Sequence, residues 1–255
     1  MKAILFAAGE GRRLLPLTKN WPKCLMPIGG RPLLEYWLQY MIDNDLDETY
    51  VNLHSHSEVV ELFLKQKKYQ FVKKIHEEKL LGTGGTLIKN YEDLKDNTIL
   101  AIHADNWCVC DIEKFIEYHK FKRPIDTLIT MMTFEAENPE LTGIVELDEK
   151  GIVIAFHEKV ENPPSNLANA AVFILEPYVL DWMMENKNIS DFSRDVIPHF
   201  LGRIGTWKNN EIHRDIGTIS SLRKAQLDPK PILNYGGEWQ KDFINNPINE
   251  LLNKS

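Results

Sequence analysis

Two hydrophobic periods alternate along the first half of the chain. Short apolar runs typical of buried strands occupy residues 2–7, 49–54, 70–76 and 98–103. Segments with helical spacing lie between them, at 32–44, 57–67, 86–94 and 111–121. Repeated strand–helix units of this length predict an α/β fold with a mostly parallel, doubly wound sheet flanked by helices.

The second half shows a different pattern. Strand-like runs at 143–147 and 152–156 flank the turn Asp148-Glu149-Lys150-Gly151, which predicts a hairpin. Further strands are predicted at 127–134, 169–175, 204–207 and 211–214, and helices at 177–186, 193–201 and 218–227. We interpret residues 1–227 as a single domain, and the Pro- and Asn-rich segment 228–255 as an extension or a contact within a homo-oligomer.

Charge is distributed unevenly over the 255 residues, whose formal net charge is −7. The first 31 residues contain six Lys and Arg and one Glu, whereas the rest contain 24 basic and 36 acidic residues. Nucleic-acid and membrane partners require an extended basic face, which this acidic chain does not offer. A concentrated cationic segment instead favours a small anionic ligand.

Cysteine content and hydropathy indicate the compartment. The three cysteines, Cys24, Cys108 and Cys110, are an odd number, and there is no N-terminal hydrophobic leader and no apolar run of about 18 residues. We therefore expect a cytoplasmic protein with no membrane contact. Cys108 and Cys110 follow His103 closely, but the four-ligand spacing of a structural zinc site is missing, so apolar packing is the favoured role.

The turn after the first strand is the first candidate for binding chemistry, because parallel sheets bind ligands at the carboxyl ends of their strands. Gly9-Glu10-Gly11 alone is weak evidence, since Leu14 stands where the dinucleotide fingerprint has its third glycine. No Walker A motif is present either. The turn is rich in cations that could contact phosphates, namely Arg12, Arg13, Lys19 and Lys23.

Six motifs in order then carry a resemblance to a known family. They are AAGEGRRLLPLT (7–18) with PKCLMPIGGRPLL (22–34), LLGTGGTL (80–87), Asp105, FHEK (156–159), NAAVF (169–173) and DIGT (215–218). Together they resemble the nucleotide-sugar pyrophosphorylases, which are sugar-1-phosphate nucleotidylyltransferases with a Rossmann-like α/β core. The short mannose-1-phosphate and heptose-1-phosphate guanylyltransferase-like members are the most similar branch.

The resemblance implies a reaction and a catalytic set. A sugar 1-phosphate oxygen would attack the α-phosphorus of a nucleoside triphosphate in line, and pyrophosphate would leave. Arg13 and Lys23 match the cations that hold and stabilise the phosphates, and Asp105 completes the predicted catalytic residues. Asp105 and Asp215 match the pair that holds Mg²⁺, the implied cofactor. The alternative is that Asp105 belongs to an ordinary turn and Asp215 precedes a helix as its N-cap.

Binding residues are also implied by position within these motifs. The nucleotide-binding set, assigned mainly to residues 1–125, comprises Ala8, Gly9, Gly11, Arg12, Arg13, Lys23, His54, Gly82, Thr83 and Gly84. The sugar-phosphate set, assigned to residues 126–227, comprises Gly143, Glu158, Lys159 and Asn169. An ordinary loop before a helix is the alternative for 82–84, and an exposed ion pair is the alternative for Glu158 and Lys159.

Three functional hypotheses follow. The first is a Mg²⁺-dependent enzyme that makes a nucleotide-sugar for surface polysaccharide synthesis, with GTP favoured over UTP, dTTP and CTP. A catalytically silent paralogue that binds nucleotide-sugar is the second, although the retained Lys23 and metal pair argue against it. The third, a nicotinamide-dependent dehydrogenase, is disfavoured by Leu14 at the third glycine position.

Overall fold

The computed structural model describes residues 1–46, 48–186 and 188–231. The strands are β1 (Lys2–Phe6), β2 (Pro27–Ile28), β3 (Arg31–Pro32), β4 (Thr49–Leu53), β5 (Val72–His76), β6 (Ile99–His103), β7 (Asn106–Val109), β8 (Ile129–Glu135), β9 (Gly143–Leu147), β10 (Val153–Glu158), β11 (Leu167–Leu175), β12 (Ile204–Lys208) and β13 (Ile212–Asp215). The helices are α1 (Leu33–Asp43), α2 (Ser57–Leu64), α3 (Gly82–Lys89), α4 (Tyr91–Leu94), α5 (Ile112–Phe121), α6 (Pro177–Glu185) and α7 (Ile219–Leu227).

The chain forms two compact units, each assembled from separate segments. The first unit contains Met1–Ile4, Leu81–Ile102 and Cys110–Asn210. The second contains Leu5–Leu80, His103–Val109 and the described residues from Glu211 onward. The division into nucleotide and sugar-phosphate halves at residue 125 stays a prediction, and most of the proposed 228–255 extension lies outside the described residues.

The first unit has a sheet centred on β11. This strand pairs antiparallel with β6, β8 and β9, and β9 forms the predicted antiparallel hairpin with β10. Strand β12 joins β8 in parallel. Helix α5 begins as predicted, because the Asp111 carboxylate accepts a hydrogen bond of 2.9 Å from the amide of Lys114. Its buried face contributes Phe115, whose ring lies 5.5 Å from that of Trp207.

The second unit contains parallel strands. The last residues of β1 are followed in the sheet by β4 and then β5, and β4 pairs with β5 in parallel. A separate antiparallel ribbon joins β7 to β13, with Asp215 opposite Asn106. The hydrophobic pattern did not predict β7, although its Trp107 is fully buried and packs edge-on against Tyr36 at 4.8 Å. The combination of parallel and antiparallel strand pairs with flanking helices agrees with the predicted Rossmann-like α/β class.

Two predicted helices differ in the structure. The helix expected at 86–94 begins four residues earlier at Gly82 and is interrupted at Asn90, after which the short α4 begins. The helix expected at 193–201 is a π-helical turn, Phe192–Val196, followed by a 3-10 turn. Pro198 lies at the start of that 3-10 turn, and it lacks the amide that a continuing helix would need.

Candidate active site

Four charged side chains from three separate segments of the chain meet in the second unit. Arg13 and Lys23 lie in short 3-10 turns of the segment that follows β1. Asp105 lies between β6 and β7, and Asp215 is the last residue of β13. Because the β7–β13 register places Asp215 opposite Asn106, the two aspartates approach each other although 110 positions separate them in the sequence.

The four side chains form a continuous ion cluster. The Lys23 ammonium donates to Asp105 Oδ2 at 2.9 Å and to Asp215 Oδ1 at 3.0 Å. The Arg13 guanidinium donates to Asp215 Oδ2 at 2.8 Å. Lys23 is only 7% exposed, whereas Arg13 is 66% exposed, so the arginine forms the solvent side of the cluster. The structure thus brings together Arg13, Lys23, Asp105 and Asp215.

Contacts within the cluster shift the pKa values of Lys23 and Asp215. Burial alone would lower the pKa of Lys23, but the charges of Asp105 and Asp215 outweigh burial and raise that pKa above its ordinary value. Burial would raise the pKa of Asp215, but Lys23 and Arg13 together lower it to about 2. Lys23 and Asp215 therefore both stay charged at neutral pH.

Gly217 lies against the Arg13–Asp215 ion pair and is a site residue that the sequence patterns did not predict. A Cβ atom on Gly217 would lie 2.6 Å from Arg13 Nη2 and 2.9 Å from Asp215 Oδ1, so a larger residue would separate this ion pair. The Gly217 amide also donates to Asp215 Oδ1 at 2.8 Å. The sequence signal that could have identified Gly217 is its position in the DIGT motif, residues 215–218.

A buried network holds the start of the predicted nucleotide loop. The side-chain oxygen of Asn52 accepts hydrogen bonds from the amides of Ala7 at 2.7 Å and Ala8 at 3.2 Å. Its amide nitrogen donates to Glu77 Oε1 at 3.0 Å, and His54 Nδ1 lies 2.9 Å from the Glu77 carbonyl oxygen. Asn52 and Glu77 were missed as site residues because their partners are distant in sequence.

The rest of the loop carries the other predicted phosphate contacts. Gly9 lies beside the cluster, since a Cβ atom there would be 3.6 Å from Asp105 Oδ2. The Thr18 hydroxyl donates to the Gly11 carbonyl oxygen at 2.9 Å and so closes the loop on itself. Arg12 pairs with Glu10 at 2.5 Å, and the arginine side chain is largely exposed. The nucleotide-binding roles of these residues stay predictions.

The glycine-rich turn 82–84 belongs to the first unit and is the start of α3. The Ser190 carbonyl oxygen accepts hydrogen bonds from the amides of Gly84 at 2.8 Å and Gly85 at 3.2 Å. The Thr83 hydroxyl accepts a bond of 2.9 Å from the amide of Phe192. The Ser190 carbonyl oxygen therefore satisfies the amide of Gly84, and nucleotide binding by Gly82, Thr83 and Gly84 stays a prediction.

The predicted sugar-phosphate residues also lie in the first unit. Gly143 and Glu158 are opposite each other in the β9–β10 hairpin, and a Cβ atom on Gly143 would lie 2.7 Å from Glu158 Oε2. Lys159 contacts Glu158 Oε1 at 3.1 Å, as the alternative of an ion pair anticipated. Asn169 marks an irregularity in β11, where its side-chain oxygen accepts from the Ala171 amide at 2.8 Å.

The chemistry of the donors fits a magnesium ion at Asp105 and Asp215. Magnesium is commonly held by one or two carboxylates together with substrate phosphates, rather than by a complete protein cage. Within the described residues, no group of three or more His, Cys, Asp or Glu side chains is arranged to hold a metal ion. Cys24, Cys108 and Cys110 are buried and are not joined by disulfide bonds.

Comparison with known proteins gives one family and several relatives. Residues 2–230 match the family model described as nucleotidyl transferase. A Methanocaldococcus jannaschii protein named bifunctional protein GlmU is 30% identical over 88% of this chain and 53% of its own length. A Mycobacterium tuberculosis mannose-1-phosphate guanylyltransferase is 26% identical over 89% of this chain and 64% of its own length. The chain thus spans between half and two thirds of these curated relatives.

Two further comparisons concern the base and the fold. A Synechocystis UTP–glucose-1-phosphate uridylyltransferase is 30% identical over 79% of this chain and 55% of its own length. A solved structure from Bacillus anthracis, provisionally assigned as a glucose-1-phosphate thymidylyltransferase, matches with a TM-score of 0.82 at 22% identity. It covers 95% of this chain and 99% of that one, and it confirms the predicted fold class. In the described part of the chain, every helix is too short or too polar to cross a membrane.

Proposed function

Because this chain belongs to the nucleotidyl transferase family, we propose that it transfers a nucleotidyl group from a nucleoside triphosphate to a sugar 1-phosphate. The observation that carries the proposal is the cluster of Lys23 and Arg13 on Asp105 and Asp215. A reaction between two anions asks the protein mainly to position them and to offset their charge, which these side chains can do.

The chemistry is a displacement at phosphorus. An oxygen of the sugar phosphate forms a bond to the α-phosphorus while the bond from that phosphorus to the bridging β-phosphate oxygen breaks, and pyrophosphate leaves with the electron pair. Lys23 and Arg13 offset the negative charge on the phosphates. Asp105 and Asp215 would hold Mg²⁺, which supplies further charge neutralisation and a template for the phosphates when bound. No proton has to move from the protein.

The identity of the substrates is part of the proposal. GTP and mannose 1-phosphate, or a similar hexose or heptose 1-phosphate, are the preferred pair, and the product would be a precursor of surface polysaccharide. The support is the short LGTGGTL motif and the guanylyltransferase among the relatives. UTP and dTTP are the alternatives that the names of the other relatives favour.

The test is pyrophosphate release in a panel of GTP, UTP, dTTP and CTP with mannose 1-phosphate and glucose 1-phosphate. We expect release with Mg²⁺, fastest with GTP and mannose 1-phosphate, and none in excess EDTA until Mg²⁺ is restored. Lys23→Ala should lower kcat/KM about 10²- to 10³-fold, because a positioned charge is lost.

A matched control is available in Lys208. Its ammonium donates to Glu135 Oε1 at 2.7 Å, so it too is a lysine paired with a carboxylate, but on β12. Lys208→Ala should leave kcat/KM unchanged. No pyrophosphate release with any pair would contradict the proposal and favour the silent nucleotide-sugar-binding paralogue. Equal turnover by Lys23→Ala and the unmodified protein would remove Lys23 from the mechanism.

A further inference from the structure

Every charge in the cluster already has an internal partner. Asp215 Oδ1 accepts from Lys23 and from the Gly217 amide, and Asp215 Oδ2 accepts from Arg13. Asp105 Oδ2 accepts from Lys23. Two carboxylates and two cations are thus in direct contact, and their formal charges cancel.

This neutrality affects both ligands of the proposed reaction. A divalent cation that binds Asp215 must share a carboxylate with Lys23 and Arg13, and like charges separated by a few ångströms repel. A triphosphate meets two cations whose charge is already balanced by carboxylates. Binding of either ligand alone would therefore break ion pairs of the cluster and leave some of its charges without a partner.

The two ligands together remove that conflict. The side chains of Lys23 and Arg13 end in donors that carboxylates and phosphates both accept. If the divalent cation takes the carboxylate oxygens while the phosphates take the two basic side chains, every charge keeps a partner of opposite sign. Arg13 can change partners because most of its side chain is exposed.

We propose that Lys23 competes with the divalent cation for Asp105 and Asp215, and that the cluster exchanges ion partners when metal and triphosphate bind. Lys23 is thereby a regulator of metal affinity as well as a phosphate contact. Metal and triphosphate then bind with positive coupling, and thermodynamic linkage requires each to increase the affinity for the other by the same factor. This inference rests on the proposed function for the identity of its two ligands.

The experiment measures Mn²⁺ binding to the full chain without nucleotide, by loss of the free-ion electron paramagnetic resonance signal. Lys23→Met removes the competing ammonium but keeps the side-chain length, and we expect it to bind Mn²⁺ on the order of tenfold more tightly than the unmodified protein. Arg13→Met, at an exposed position, should also tighten binding by freeing Asp215 Oδ2. Asp105→Asn combined with Lys23→Met should lose the gain.

Lys208→Met is the control, because it removes one carboxylate-paired lysine elsewhere and should leave Mn²⁺ affinity unchanged. Thermal melting identifies any variant that fails to fold; if Lys23→Met fails, Arg13→Met decides the test. Unchanged, weaker or absent Mn²⁺ binding in the folded variant overturns the exchange. The proposed function stands or falls separately on pyrophosphate release by the unmodified protein.

Discussion

Gly143 shows how one missing side chain can make room for a binding group. The Glu158 carboxylate and the Phe156 ring both lie where a Cβ atom of residue 143 would be, at 2.7 and 2.6 Å. Contacts this short force a neighbour to move. The family resemblance implies that Glu158 binds the sugar. We therefore expect Gly143 to act by leaving that carboxylate in place.

Gly143→Ala should therefore impair sugar recognition selectively. We expect KM for the sugar 1-phosphate to rise about tenfold, the range for loss of one charged hydrogen bond, with KM for the triphosphate little changed. Initial-rate kinetics with each substrate varied in turn measure both constants. Glu158→Ala should have a similar effect, and the double variant should be no worse than either, because both changes remove one interaction. Additive losses, or equal rises in both KM values, would contradict this account.

At the scale of elements, β4 positions the loop after β1 through the side-chain amide of Asn52, which also contacts Glu77, the residue that follows β5. Asn52 accepts from two loop amides and donates to Glu77, and both side chains are almost fully buried. A buried polar group without a partner is destabilising by about 1–3 kcal/mol. The orientation of the Asn52 amide, and with it the position of the loop, therefore depends on Glu77.

Reversing the donor and the acceptor tests this dependence. Asn52→Asp puts an oxygen where the donor was, facing Glu77, and we expect a loss of about 2–3 kcal/mol in the free energy of unfolding. Adding Glu77→Gln restores a donor and acceptor pair with the same total charge, and should recover at least half of that loss. Urea denaturation of the two single variants and the double variant measures this. No recovery in the double variant would show that the bond does not fix the amide.

The same scale shows where prediction from sequence succeeds and where it stops. Strands such as β1 and β4, the hairpin of β9 and β10, and the Asp111 cap follow from local patterns and were predicted nearly to the residue. Helix α3 was predicted to begin too late, because its first turn is completed by the carbonyl oxygen of Ser190, a partner from a distant segment. Local patterns contain no information about such a partner.

At the scale of the whole molecule, motifs of the family predicted which charged residues meet. Lys23, Asp105 and Asp215 were selected by resemblance, and the β7–β13 ribbon that brings the aspartates together was only half predicted. Asn52 was not predicted because one buried side-chain amide leaves no periodic pattern in the sequence. Gly217 was not predicted because its close approach to Arg13 leaves no such pattern either. The assembly of each unit from separate stretches of the chain was not predicted either, because it depends on contacts between residues that are distant in the sequence.

The free energy of unfolding of the whole chain should decrease on mild acidification, and we expect the buried residue His119 to contribute to this decrease. His119 contacts Thr130 at 2.7 Å and Glu176 at 3.1 Å, and Arg123 lies 2.9 Å from its ring. Burial first, and then the charge of Arg123, lower its pKa from 6.5 to about 4, although Glu176 opposes the shift; Lys120 adds a smaller effect of the same sign as Arg123.

The direction of the pH dependence follows from proton binding. Between pH 6.5 and about 4 the unfolded chain binds a proton at His119 that the folded chain does not, so the free energy of unfolding decreases as the pH falls. We expect His119 to account for a loss of about 1–2 kcal/mol between pH 7 and 5, measured by urea denaturation at each pH. His119→Gln should lower stability at pH 7 but flatten the curve over this window, whereas His199→Gln, at an exposed position, should leave the slope unchanged. A slope that persists in His119→Gln would assign the acid sensitivity to other groups, and a curve that steepens would reverse the inferred sign.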